Sequence, residues 1–395
     1  MTTASATPQP DKTSWSGVAA GICAGIAVAM QVGKISVSLP LMREEFATGI
    51  SHLSVYAGLL SILAATVGLG FGTISRRLGP RRAVITGLVL VGTGSAAAAL
   101  ASGLPLLMFS RVLEACGFAL VGTAGVGLIQ SQTLPQDRNM ALGFWAAWIP
   151  AGISLMMVLG FLALNHLGWR GIYWLCAAAP FAAAIWLATL PASQAIRRPA
   201  APRPPLRHIL NRRNLLAAGI FFCFTAVNLI IMYYLPTLLV DRYDMTPPHA
   251  ALVGFGSAAV QIPMNILGSA LLKKGINPRH IFMASTIGMT VTGVLVFSSG
   301  SGLATCVMAG IGFSIVAAVT PAVVWASVPD LAPSPADTPL VSGLIFQSAG
   351  LGQFLGPVLA ALAVETSGSW SAASWVVLIL MAGSVWCILR LRSLR

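Results

Sequence analysis

Apolar residues gather into twelve long runs, near 16–39, 53–74, 83–101, 104–132, 140–164, 171–190, 214–239, 249–272, 280–299, 303–326, 340–363 and 372–391. Each is close to the roughly 20 residues that a helix needs to cross about 30 Å of hydrocarbon. Polar residues fall in the short turns between runs, and a chain crossing lipid must satisfy its backbone internally. The pattern predicts an all-α membrane protein with twelve transmembrane helices.

The runs also repeat. Residues 36–79 return without a gap as 232–275, at a constant offset of 196. Leu39-Pro40 returns as Leu235-Pro236, Gly58 as Gly254, Gly72 as Gly268 and Gly79 as Gly275. Each copy ends in a basic turn, Arg76-Arg77 in the first and Lys273-Lys274 in the second. Further on, Gly143 and Gly152 correspond to Gly343 and Gly352 at an offset of 200. Two similar six-helix bundles follow, related by a pseudo-two-fold axis along the membrane normal, with a solute held between them. The expected division is a tail over 1–15, a first bundle over 16–190, a basic linker over 191–213, a second bundle over 214–391 and a tail over 392–395.

Composition agrees: 56% of residues are hydrophobic and 8% charged, against roughly 25% charged in soluble domains. The formal charge of +13 is a topology signal rather than a nucleic-acid footprint. With the N-terminus inside, 18 of the 23 Lys and Arg fall in cytoplasmic segments, as the positive-inside rule requires. Both termini are expected in the cytoplasm, in a multi-pass protein of the inner membrane. The first 14 residues are polar and read as a disordered tail without a cleavable signal. All six cysteines fall within spans and read as packing residues.

At the inner end of the second run stands Gly72-Thr73-Ile74-Ser75-Arg76-Arg77-Leu78-Gly79-Pro80-Arg81-Arg82. It resembles the Gly-x-x-x-Asp-Arg-x-Gly-Arg-Lys loop of the major facilitator superfamily. Arg111 to Gly117 is similar to that family's Arg-x-x-Gln-Gly motif, and Pro150-Ala151-Gly152 partly matches its antiporter motif. Gly168-Trp169-Arg170 stands where family members often carry Trp-Arg. The resemblance implies the family's two-bundle fold, with Gly72, Arg76, Arg77, Gly79, Arg81 and Arg82 as a gating loop and Gly268 and Gly275 as its echo. One departure matters: Arg76 replaces the signature Asp, so the family's cytoplasmic charge latch is missing or rebuilt from other residues.

Small residues at Gly68/Gly72 and Gly352/Gly356 predict close helix contacts. Pro150, Pro263, Pro321 and Pro357 interrupt the spans and mark candidate hinges.

Ionisable residues within the spans are Lys34, Arg111 and Glu114. Each costs about 2.5–3.5 kcal/mol if left facing lipid. Arg111 and Glu114 are three apart and lie on one helical face. They read either as a structural pair or as a site where Glu114 carries a proton under the influence of Arg111. Lys34 has no acid within a turn; it either snorkels to the outer interface or faces the cavity and holds an anion, with Gln31 beside it. Trp148, Asn228, Tyr233, Gln261, Asn265 and Gln347 complete a candidate lining of amides and aromatics, with Trp145, Tyr234 and Gln353 alongside.

No Gly-x-x-x-x-Gly-Lys-Ser/Thr loop is present, so a gradient is the expected energy source, with H⁺ as the coupling ion. The reading is a secondary transporter, a symporter or antiporter, of a small anionic or zwitterionic organic solute. The alternative is a proton-driven efflux pump for hydrophobic compounds. An enzyme is not expected, since the five histidines lie at loops or span ends without a catalytic grouping. Neither cofactor nor metal is implied, and the chain is read as a monomer whose partners are solute, proton and lipid bilayer.

Overall fold

The computed structural model describes residues 12–46, 50–191, 206–245 and 247–391. The helices, in chain order, are α1 Trp15–Glu45, α2 Ile50–Leu78, α3 Pro80–Ala99, α4 Leu104–Gln132, α5 Pro135–Ala146, α6 Trp148–Thr189 and α7 Leu206–Ile209. They continue as α8 Arg212–Tyr243, α9 Pro247–Lys273, α10 Pro278–Phe297, α11 Leu303–Ala317, α12 Val319–Leu331, α13 Thr338–Ser367 and α14 Ala372–Arg390. Twelve stretches within them are long and apolar enough to cross a membrane. The fifth span is α5 with the start of α6, and the tenth is α11 with α12.

Helices outrun the apolar bands that announced them. The first runs to Glu45 rather than 39, because backbone hydrogen bonds continue after hydropathy falls. Helix α6 covers two spans, divided at Gly168, whose φ of 62° and ψ of 179° turn the chain back. Pro150 and Pro321 each stand in the first turn of a helix, just after a break at Ala147 and Ala318. Proline lacks the N–H that would bond the carbonyl four residues earlier, so the helix yields just ahead of it.

Symmetry is visible in matched glycines. Gly79 and Gly275 both have positive φ, 81° and 82°, where a side chain would be strained. A Cβ on Gly152 would overlap Ile26 and Ala29, and one on Gly352 would overlap Phe222 and Thr225. Those contact residues are themselves related by the 196-residue offset. The two bundles meet through equivalent positions as well: Gly143 packs on Ser269 of α9, and Gly343 on the backbone of Gly68 in α2.

Residues just ahead of α1 are bonded to the first bundle. Ser14 N–H donates to Gln132 O at 2.8 Å, and Thr13 Oγ1 donates to Asp137 at 2.6 Å. This corrects the disordered-tail expectation for residues 12–15; residues 1–11, 392–395 and most of the linker, 192–205, lie outside the described residues. All six cysteines are free.

Candidate functional site

On α1, Gln31, Lys34 and Ser38 recur every three or four residues and form one stripe, all fully buried. The Gln31 amide donates to Cys176 O of α6 at 2.9 Å. Lys34 Nζ is ion-paired with Glu114 of α4, donates to Ser95 Oγ of α3 at 2.9 Å and lies 4.1 Å from the Tyr173 ring centre. Arg111 donates from Nη1 to Glu114 at 2.8 Å and to Gln31 O at 3.1 Å, and from Nε to Tyr56 O at 3.2 Å. Tyr56 and Tyr173 close the far side, their hydroxyls 3.2 Å apart. Five helices of the first bundle thus converge on one carboxylate.

Lys34, Arg111 and Glu114 are at most 1% exposed. Burying ions costs several kcal/mol each unless their hydrogen bonds are met, and here the carboxylate lies between two cations that also bond serine and backbone oxygens. Two cations against one anion leave a net positive charge. Lys34 points inward, away from the interface to which it would snorkel. Its acid lies 80 residues along the chain, beyond any search within a helical turn.

The second bundle supplies amides. Gln261 Nε2 donates to Asn228 Oδ1 at 3.4 Å, and Asn265 Nδ2 to Gln261 O at 2.8 Å, while Asn265 Oδ1 has no partner. Tyr233 on the same helix as Asn228 is 54% exposed. Tyr234 instead donates to Pro357 O at 3.0 Å. Gln347 is used between helices, accepting from Leu69 N–H at 3.4 Å, and Gln353 accepts from Ser61 at 3.3 Å. Trp145 and Trp148 are wholly buried at the α5–α6 break. A separate apolar groove of about 560 Å³, among Met245, Leu252, Val253 and Met308, opens on the surface and touches none of these residues.

At the face carrying the basic turns, Arg76 Nε meets Asp337 Oδ1 of the second bundle at 2.7 Å. Ser334 donates to the other Asp337 oxygen at 2.7 Å, and Thr338 to Gln130 at 3.1 Å. Gly72 packs directly on Pro339. A pair joining the halves thus exists with its acid on the second bundle, a partner no motif in the first bundle reveals. Arg81 caps α6 instead, donating to Leu187 O at 2.8 Å, while Arg77 and Arg82 are exposed. Gly268 packs on Val319 and Ala322 within its own half. On the opposite face, Glu45 is bonded by Arg170 and by Trp169 Nε1, the latter at 2.6 Å. Arg170 holds the Glu45 carboxyl below its ordinary range.

A twelve-span, two-bundle frame with a buried charge cluster between its helices defines a membrane transporter rather than an enzyme. The family model of the Major Facilitator Superfamily matches residues 19–334, and the chain belongs to that family. The 3-(3-hydroxy-phenyl)propionate transporter of Escherichia coli K12 is 28% identical over 224 residues, covering 55% of this chain and 54% of the relative. The drug efflux pump JefA of Mycobacterium tuberculosis H37Rv is 27% identical over 164 residues, 41% of this chain and 32% of the relative. The chain thus spans about half or less of the length of these curated relatives. Among solved structures, the E. coli transporter FucP in its outward conformation superposes with a TM-score of 0.78 at 16% identity, over 96% of this chain and 99% of that one. The proton:xylose symporter XylE gives 0.78 at 14%, over 95% and 94%.

Proposed function

We propose that this transporter moves a small organic anion together with a proton by alternating access. The observation that carries the reading is the buried Lys34–Glu114–Arg111 cluster, whose two cations outnumber its carboxylate. An incoming carboxylate competes with Glu114 for Arg111 and Lys34. A buried carboxylate that loses its cations is costly as an ion, so Glu114 takes up a proton as the solute binds. Anion and proton together add no charge to the low-dielectric interior, which is what couples the two fluxes.

The relative that carries 3-(3-hydroxy-phenyl)propionate supports an anionic solute. Efflux pumps are also among the relatives, but a cationic drug would meet a site of its own sign. Positive residues cluster on one face, which supports an inner-membrane topology with both termini in the cytoplasm. The Arg76–Asp337 pair would then close the cytoplasmic side. The protein acts as a monomer in this reading, its site built within one chain.

The test is proteoliposome flux. Glu114→Gln is expected to lose accumulation driven by a pH gradient while retaining solute exchange; an unchanged proton dependence would refute Glu114 as carrier.

A further inference from the structure

Four aromatic rings cross the middle of the molecule from one bundle to the other. Trp145 and Trp148 stack at 5.1 Å with planes 16° apart. Trp148 meets Phe118 at 5.3 Å, and Phe118 meets Phe346 of the second bundle at 5.5 Å. The seat is cut to fit them: a Cβ on Gly125 would overlap the Trp145 ring, and one on Gly122 the Phe346 ring.

The polar ends of these rings are unusual. Both indoles are at most 1% exposed, yet neither N–H has a hydrogen-bond partner. A buried tryptophan normally spends that donor on an acceptor, and leaving it unmade costs about 1–3 kcal/mol. A core that needed only bulk would use phenylalanine or leucine at no such cost. Two donors kept ready among π faces describe a seat for a ring that carries an acceptor.

This seat is in register with the charge cluster. Phe118 follows Glu114 by four residues on the same face of α4, about 6 Å along the axis. Phe118 and Phe346 belong to opposite bundles and meet at a tilt of 45°, so rocking of the halves would change the space between the two rings. Trp145 and Trp148 stay with Phe118 on the first bundle.

We propose that the solute is a planar aromatic carboxylate with an acceptor on its ring. Its carboxylate engages Arg111 and Lys34, its ring enters between Phe118 and Phe346, and the ring substituent accepts from the tryptophan N–H groups. This rests on the anion reading above and adds the ring, the spacing and the residues that select them.

The experiment is equilibrium binding to the full chain in lipid nanodiscs, using 3-phenylpropanoate, its 4-methoxy derivative, 3-cyclohexylpropanoate and 3-phenylpropanamide. The acid with the flat ring is expected to bind at least tenfold more tightly than its saturated counterpart of equal charge and length. Phe118→Leu is expected to bring that ratio near one, weakening the flat-ring acid more than the cyclohexyl acid. Trp148→Phe keeps the stacking surface and removes only the extra affinity of the methoxy compound. Equal binding of the flat and saturated acids in the wild-type protein overturns the aromatic seat and leaves the anion site standing. Equal binding of acid and amide, or no binding of either acid, overturns both.

Discussion

Arg76 of α2 and Asp337 just ahead of α13 meet at 2.7 Å, both side chains 7% exposed, and join the two bundles at the basic face. The acid belongs to the second bundle and the base to the first, and a second hydrogen bond from Ser334 fixes the carboxylate. We infer that this contact is a latch, made in one state of the cycle and broken in the other.

Reversing one member is therefore expected to open that face. Arg76→Asp places like charges together, and about 1.4 kcal/mol of lost preference is a tenfold change in population. Spin labels at Arg82 and Lys274, which flank the latch on exposed positions of the two bundles, read the separation by pulsed electron resonance. The longer distance grows in the single variant and recedes in the Arg76→Asp/Asp337→Arg double variant. Failure of the double variant to recover contradicts the latch.

The charge cluster predicts an asymmetry between two neutralisations. Lys34→Gln leaves Arg111 and Glu114 as a balanced pair, whereas Glu114→Gln leaves two buried cations facing each other. Breaking a buried pair on the side that strands charge costs roughly 3–5 kcal/mol. Thermal unfolding in detergent is expected to show Glu114→Gln melting several degrees below Lys34→Gln. The reverse order would mean that the carboxylate is not the group holding α1 to α4.

Twelve spans were legible because hydropathy alone marks them, and the doubled plan because glycines at Gly143/Gly343 and Gly152/Gly352 keep their spacing where helices pack closely. Chemistry within one turn was equally readable: Arg111 and Glu114 pair as their spacing requires. Contacts between distant helices were not. Nothing near Lys34 points to Glu114 on α4, and nothing near Arg76 points to Asp337 across the interface. The meeting of Phe118 with Phe346 depends on how the bundles face each other, and a single chain read in order carries no signal of that. Gln347 looked like a cavity amide, yet it bonds the α2 backbone, because an amide satisfies a neighbouring helix as readily as a solute.

Close packing of the matched glycines gives a stability test. On Gly352 a methyl group would meet the Phe222 carbonyl and the Ala226 N–H, both backbone, so neither can turn aside. Overpacking of this kind costs about 1–3 kcal/mol. Gly352→Ala is expected to lower the melting temperature, while alanine at Gly256, which has open space around it, leaves it unchanged. Equal melting of the two variants contradicts the close approach of α13 to α8.

On the face opposite the latch, Glu45 is held below its ordinary range by Arg170, then by Trp169. A carboxyl with a depressed folded-state value contributes stability above its unfolded value, near 4.3, and loses it as pH falls through the lower one. Both side chains are about 40% exposed, at 39% and 41%, so solvent screening keeps the contribution below about 1 kcal/mol. Melting curves of wild type and Glu45→Gln are expected to differ at pH 6 and to converge below pH 4. A constant difference across that window contradicts the pairing.

Proton movement during solute binding is the direct readout of coupling at the Lys34–Glu114–Arg111 cluster. Proteoliposomes loaded with a pH-sensitive dye are given a step of 3-phenylpropanoate without any imposed gradient, and internal acidification is followed. Wild-type protein is expected to carry about one proton with each anion, and Lys34→Gln to carry neither at normal membrane levels. Anion flux that persists in Lys34→Gln, or that moves without protons in the wild type, contradicts a positively biased cluster as the site of coupling.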